Sequence, residues 1–227
     1  MKIQYAFRLQ IAAYRHYGGD LFCMKDGSPA RHGTIAFVDS FAARPARFLV
    51  FSSTTSSAVL DHFLTRHWRL AQPEIIICVT GSAQDFQLPP QLQAAFSEGL
   101  ANAAKSCRAW IFTGGSDAGV MKMVGAAMRE KGTSDIPLIG IGPWGAVMGR
   151  EPMNHAKGAR VNYRPEGKAK RDAAPLNSAH THFLLVDSGI SGFRAWGSEI
   201  ESRSGLEDYI ADAKRVPLVQ LVVQGGP

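Results

Sequence analysis

Glycines gather where three short apolar runs end. Val79-Thr80-Gly81-Ser82-Ala83 is the first exit, Thr113-Gly114-Gly115-Ser116-Asp117-Ala118-Gly119-Val120-Met121 the second, and Gly140-Ile141-Gly142-Pro143-Trp144-Gly145 the third. At the second, the missing side chains of Gly114 and Gly115 let an anion approach the backbone, and a helix opening near Gly119 aims its first N–H groups at it. The chemistry implied is a phosphate cradle. The spacing is neither the GxGxxG fingerprint nor a Walker loop, since no GK[ST] follows. Tight-turn geometry accounts for the paired glycines as well. Trp144 reads either as a stacking face for a base or as a core plug. His180 and His182 alternate along one strand edge without a third metal ligand in view, and read as structural histidines. Asp187, Ser188 and Gly189 offer a carboxylate for ribose hydroxyls, or simply a turn.

These turns need strands and helices to hold them. From residue 74 onward β-rich apolar runs alternate with helical patterns, the mark of a parallel α/β sheet. The strands expected are Ile75 to Thr80, Ala109 to Thr113, Leu138 to Ile141, His182 to Val186 and Pro217 to Val223. Gln91 to Cys107 reads as an amphipathic helix with Leu92, Phe96, Leu100 and Ala103 on its apolar face. Val120, Met123, Val124 and Ala127 repeat that spacing, and Ile200, Leu206 and Ile210 suggest a last helix. Upstream, Thr34 to Val38 and Arg47 to Phe51 read as strands and Ser57 to Trp68 as a helix. Residues 1–32 read as an α+β N-terminal extension, and 33–227 as one domain.

Composition removes several classes. A chain of 227 residues that is 45% hydrophobic carries a core, so disorder is not its main state. Three scattered cysteines make no disulfide framework and fit a reduced, cytoplasmic setting. No apolar run approaches the ~20 residues of a membrane helix. The net charge is +6. Residues 152–178 hold six basic residues (Lys157, Arg160, Arg164, Lys168, Lys170, Arg171) against Glu166 and Asp172 and read as a solvated, mobile basic loop. With Tyr163 its one aromatic, the loop argues against nucleic acid as the partner.

The motifs also occur in one order: Gly33-Thr34-Ile35-Ala36-Phe37, His67-Trp68-Arg69-Leu70, Ile77-Cys78-Val79-Thr80-Gly81, Trp110-Ile111-Phe112-Thr113-Gly114-Gly115, Pro143-Trp144-Gly145, Arg150-Glu151 and His180-Thr181-His182-Phe183-Leu184-Leu185-Val186-Asp187. In this the chain resembles, from about Gly33 to its last residue, the SLOG (LSDAT) domain of the N-terminal cytosolic region of melastatin-type transient receptor potential (TRPM) cation channels. The resemblance implies a Rossmann-like open parallel sheet flanked by helices, at the cytosolic face of a homotetrameric channel, that senses a nucleotide such as ADP-ribose. It carries two arginines of the ADP-ribose site onto Arg150 and Arg203. The ligand set it implies is Thr80, Gly81, Ser82, Gly114, Gly115, Ser116, Gly119, Trp144, Arg150 and Arg203, with no cofactor and no metal.

Two departures bear on this set. Ser82 adds a hydroxymethyl group where the channels have a second glycine, and residues 188–197 are looser than the corresponding Gly-Thr-x-Gly-x-Tyr-Gly stretch. Three function classes follow. A regulatory nucleotide module binds without turnover, and an assembly module leaves its cleft empty. A LOG-like hydrolase of nucleotide N-glycosidic bonds would need an acid or base, for which Glu199 is the candidate, although the Pro-Gly-Gly part of the LOG signature is missing.

Overall fold

The computed structural model describes residues 31–38 and 44–224, so most of the expected N-terminal extension lies outside the described residues. Among these residues eight strands form a single sheet in the order β6-β1-β2-β7-β5-β4-β3-β8. They are β1 (Arg31–Phe37), β2 (Ala46–Ser52), β3 (Ile76–Gly81), β4 (Trp110–Thr113), β5 (Leu138–Pro143), β6 (Arg160–Tyr163), β7 (His182–Asp187) and β8 (Leu218–Val223). The six strands from β2 to β8 in that order run parallel; β1 pairs antiparallel with β2, and β6 pairs parallel with β1. The fold is α/β, with a mixed but mostly parallel sheet.

Among the described residues four helices flank it: α1 (Ser57–His62), α2 (Pro90–Ser106), α3 (Gly119–Glu130) and α4 (Ile200–Lys214). Side-chain alternation along the strands sorts them into two layers. Leu49, Phe51, Trp110, Phe112, Leu184 and Val186 face α1 and α4, which contribute Val59, Leu60, Leu206 and Ile210. Ile77, Val79 and Ile111 face α2 and α3. Beside those two helices Phe48, Val50, Phe183 and Leu185 meet Trp144, Met153, Tyr163 and Leu176. Burying each large side chain contributes ~1.5–3 kcal/mol, which fixes the register of the central strands.

Three expectations change. First, α2 is rotated from the expected face: Ser97, Leu100, Ala101 and Ala104 are inside, whereas Leu92 is 58% exposed and Ala103 is also outside. The small side chains let the helix sit close to the sheet, and packing outweighs the apolar pattern. Second, α1 ends at His62 and the chain widens into a π-helical turn, Phe63–His67, which delivers Trp68 to the core with its amide on the Phe63 carbonyl at 3.0 Å. Third, the basic stretch is only in part an exposed loop: residues 164–173 carry no helix or strand and are largely exposed, while the rest is structured. Around that loop lie a 3-10 turn (Glu151–His155) and strand β6, with Met153, Tyr163 and Leu176 buried and the cations outward. Within the described residues no helix is long and apolar enough to cross a membrane.

Candidate functional site

Parallel strands put their carboxyl ends on one rim, where open α/β sheets bind ligands. Adjacent strands β7, β5, β4 and β3 bring Asp187, Trp144, Gly114 and Gly81 to that rim, and α4 follows β7 with Arg203 on its first turn. The three glycine turns are therefore neighbours in space, as their sequence positions suggest.

Much of the turns' hydrogen bonding is internal, which corrects the picture of a ready anion cradle. The Gly119 amide donates to Asp85 Oδ1 at 2.8 Å and the Val120 amide to the Ser82 carbonyl at 3.0 Å, so the start of α3 is capped from within the chain. The Gly115 amide donates to Thr113 Oγ1 at 2.9 Å and the Asp117 amide to the Pro175 carbonyl at 2.7 Å. Close approach accounts for three of the glycines. A Cβ on Gly115, which has φ of 77°, would lie 2.9 Å from the Gly140 Cα; one on Gly119 would strike the Ser82 carbonyl, and one on Gly81 the Val223 carbonyl of β8. Gly114 differs, since a Cβ there would meet nothing closer than the Met121 side chain at 3.6 Å. Ser82 closes its own turn, its hydroxyl accepting from the Gln84 amide at 3.1 Å, while Ser116 is buried beside Leu176 and Thr80 stays half-buried at the end of β3.

The two arginines occupy different parts of the rim. Arg150 donates through Nη1 to the Trp144 carbonyl at 2.5 Å and through Nη2 to Ser191 Oγ at 3.2 Å, with its guanidinium 5.2 Å from the Trp144 ring centroid. Burial and the neighbouring Arg31 lower its pKa against the opposing pull of Glu151 and Asp187. Arg203 lies beneath the ends of β3 and β4. Its Nε donates to Glu207 Oε1 at 2.7 Å, and its Nη2 lies 3.3 Å from the Val79 carbonyl and 3.5 Å from that of Phe112. Trp144 is 6% exposed within the core beside Phe183, so of its two readings the structure shows the plug.

Comparison with known proteins fits this architecture. The family described as SLOG in TRPM matches residues 46–227. The chain belongs to that family. It is 34% identical to transient receptor potential cation channel subfamily M member 2 of Rattus norvegicus, over 89% of this chain and 15% of the channel. It is 35% identical to subfamily M member 1 of Mus musculus, over 86% of this chain and 12% of the relative. The Drosophila melanogaster channel trpm is 34% identical over 86% of this chain and 10% of its own length. The chain thus corresponds to a small part of each relative.

In this SLOG domain the remaining polar residues sort cleanly. His180 is wholly buried, bonded to Thr113 Oγ1 at 2.7 Å and Asn177 Oδ1 at 3.2 Å, and desolvation pushes its pKa down to about 3. His182 packs 4.8 Å from the Trp68 ring and is likewise pushed to about 3 by burial, then by Arg47. Asp187 accepts the Gly189 amide at 3.0 Å, the geometry of a turn former. Glu199, directly before α4, is raised in pKa by burial, and its Oε2 finds no partner among the described residues. Sequence reasoning passed over Asp85, which caps α3 from 34 residues upstream and pairs with Lys122 at 2.9 Å. It also missed Ser191, the second acceptor of Arg150. Neither has a local signal, because each meets its partner only through the fold.

Proposed function

We propose that this SLOG domain is a regulatory module that binds a nucleotide of the ADP-ribose type at the carboxyl rim, without turning it over, as a cytosolic part of a TRPM-like channel. The binding free energy would shift the population of a gate elsewhere in the assembly. The observation that carries this reading is the state of Arg150. Its guanidinium is half-buried and held by two hydrogen bonds and an aromatic face, yet it makes no ion pair within 4.0 Å among the described residues. A positioned cation that Glu151 and Asp187 reach only at longer range, at a rim shared by three glycine turns, suits a diphosphate. Gly114, whose missing side chain no close contact among the described residues requires, is where backbone and phosphate would come closest.

Calorimetry with ADP-ribose tests this. Arg150→Ala is expected to weaken binding by ~1.5–3 kcal/mol, the worth of a charge-assisted contact. Unchanged affinity removes the site assignment. Chromatography of ADP-ribose, NAD and AMP after incubation is expected to show no products; released base or ribose would favour the hydrolase, with Glu199 as its acid or base.

One observation favours assembly as a second role for the same rim. Ile190, Phe193 and Ile200 are 44%, 55% and 62% exposed on the connection from β7 into α4. Apolar side chains grouped in this way suit contact with a neighbouring channel subunit. Phe193→Ser with Ile200→Ser is expected to lower assembly of a channel carrying this domain, read by sedimentation, while leaving ADP-ribose affinity unchanged.

A further inference from the structure

The opposite rim, where the parallel strands begin, holds a cavity of about 540 Å³ that the nucleotide reading does not use. Its walls come from the starts of β2, β5 and β7, the end of α3 and the turn carrying Trp68. The six-residue strand β7 separates His182 in this cavity from Asp187 at the carboxyl rim. At ~3.3 Å per residue the two rims are roughly 17 Å apart.

Three arginines, Arg44, Arg47 and Arg129, line it, and among the described residues Asp135 is the one carboxylate in the lining. The two histidines there, His180 and His182, are neutral at pH 7 and do not add to that charge. Arg47 is anchored through Nη1 on the Trp68 carbonyl at 2.6 Å, and Arg129 through Nη2 on Ser178 Oγ at 2.9 Å; neither makes an ion pair among the described residues, and nor does Arg44. Ser134 adds a hydroxyl, the hydroxyls of Thr133 and Thr181 being bonded to the Met128 carbonyl and to the Leu138 backbone, while Trp68, Ile136 and Leu138 supply an apolar floor. A concave site of this size, lined by apolar residues and by three arginines, has the form of a small-molecule site for an anion that carries a flat apolar group.

We propose that this amino-end cavity is a second ligand site, independent of the carboxyl rim, for a small organic phosphate: phosphate oxygens on Arg44, Arg47 and Arg129, and a ring on the floor formed by Trp68 and Ile136. Two of its arginines are already oriented by protein acceptors, so binding orders fewer side chains than at an open basic surface. The Arg47 bond to the Trp68 carbonyl ties the cationic wall to the apolar one.

The test is an amide-resolved NMR titration of the full chain with AMP, using adenosine and inorganic pyrophosphate as half-ligands. Shifts are expected at Gly132 to Leu138 and at Ser178 to His182, with AMP tighter than adenosine. The exposed pair Arg44→Gln with Arg129→Gln should weaken AMP at least about tenfold, and Arg150→Gln should leave these shifts intact. The proposal is overturned if AMP leaves those amides unmoved, if adenosine binds there as tightly as AMP, or if the double variant binds unchanged. Shifts confined to Gly114, Ser188 and their neighbours would overturn this site and leave the nucleotide reading standing; shifts only at the amino end would do the reverse.

Discussion

At the scale of single residues, Arg203 and Gly115 show how much of the rim is structural. The Arg203 and Glu207 side chains are 16% and 11% exposed, so their ion pair is shielded, and Cys78 beside it has its thiol pKa raised by burial and then by Glu207. Removing one member of such a pair strands the other charge, at ~3–5 kcal/mol. Arg203→Ala is therefore expected to cost about 3 kcal/mol in urea denaturation, whether or not a nucleotide binds. A loss below about 1 kcal/mol would show that Glu207 relaxes to water. Gly115→Ala acts through the backbone. At φ of 77° its Cβ faces the Gly140 Cα at 2.9 Å and Phe183 at 3.3 Å, neither of which is a flexible side-chain tip. Left-handed strain of ~1–2 kcal/mol and the clash add, so a loss of about 2–3 kcal/mol is expected, with a fall of roughly 5–10 °C in Tm. A neutral result would mean that the turn shifts without disturbing β5.

At the scale of elements, α3 carries the argument. Its helix dipole and first amides are what made Gly114 to Gly119 read as an anion site, and in the fold Asp85 already supplies that negative charge. The Lys122 ammonium beside Asp85, followed by the Gly119 amide, lowers the Asp85 pKa, so the cap is charged at neutral pH. Asp85→Ala should cost about 1 kcal/mol as a lost cap, measured by thermal melting. It should also free the Gly119 amide, so inorganic phosphate is expected to raise the Tm of the variant more than that of the parent. Equal shifts would show that anions never reach this helix end. The same element marks the reach of the sequence. Strand positions were legible because Ile77, Cys78 and Val79 or Leu184, Leu185 and Val186 are apolar on both faces, as central parallel strands must be. The glycine turns were legible because Gly81, Gly115 and Gly119 sit where only glycine tolerates the close contacts. Strand order, the antiparallel β1, the inner face of α2 and the Asp85 cap were not, since each is decided by partners distant in sequence. The pairing of β6 with β1 joins segments separated in sequence by four strands, and Arg160 to Tyr163 carries no pattern of its own strong enough to announce it.

At the scale of the whole molecule, the amino-end rim couples the fold to pH. His180 is enclosed by Thr113, Asn177 and Phe183, and His182 by Thr181, Trp68 and the Arg47 guanidinium, so protonating either places a charge where no carboxylate answers it. Both are held neutral in the folded state down to about pH 3. In the unfolded chain both take up protons near the ordinary value of 6.5. Below that value the unfolded state binds more protons than the folded one, so stability falls as pH falls, and it is fully present only above about 6.5. Each group contributes a slope of ~1.4 kcal/mol per pH unit once its unfolded form is protonated, about 2.7 for the two together. Urea denaturation between about pH 7 and about pH 5 is expected to show a loss of about 4 kcal/mol from this source. His182→Gln, which keeps a hydrogen-bonding group without the titration, should remove about half of that slope. A parent chain whose stability stays flat over this interval would mean that water reaches His180 and His182, and that the boundary between the β7 core and the amino-end cavity is open.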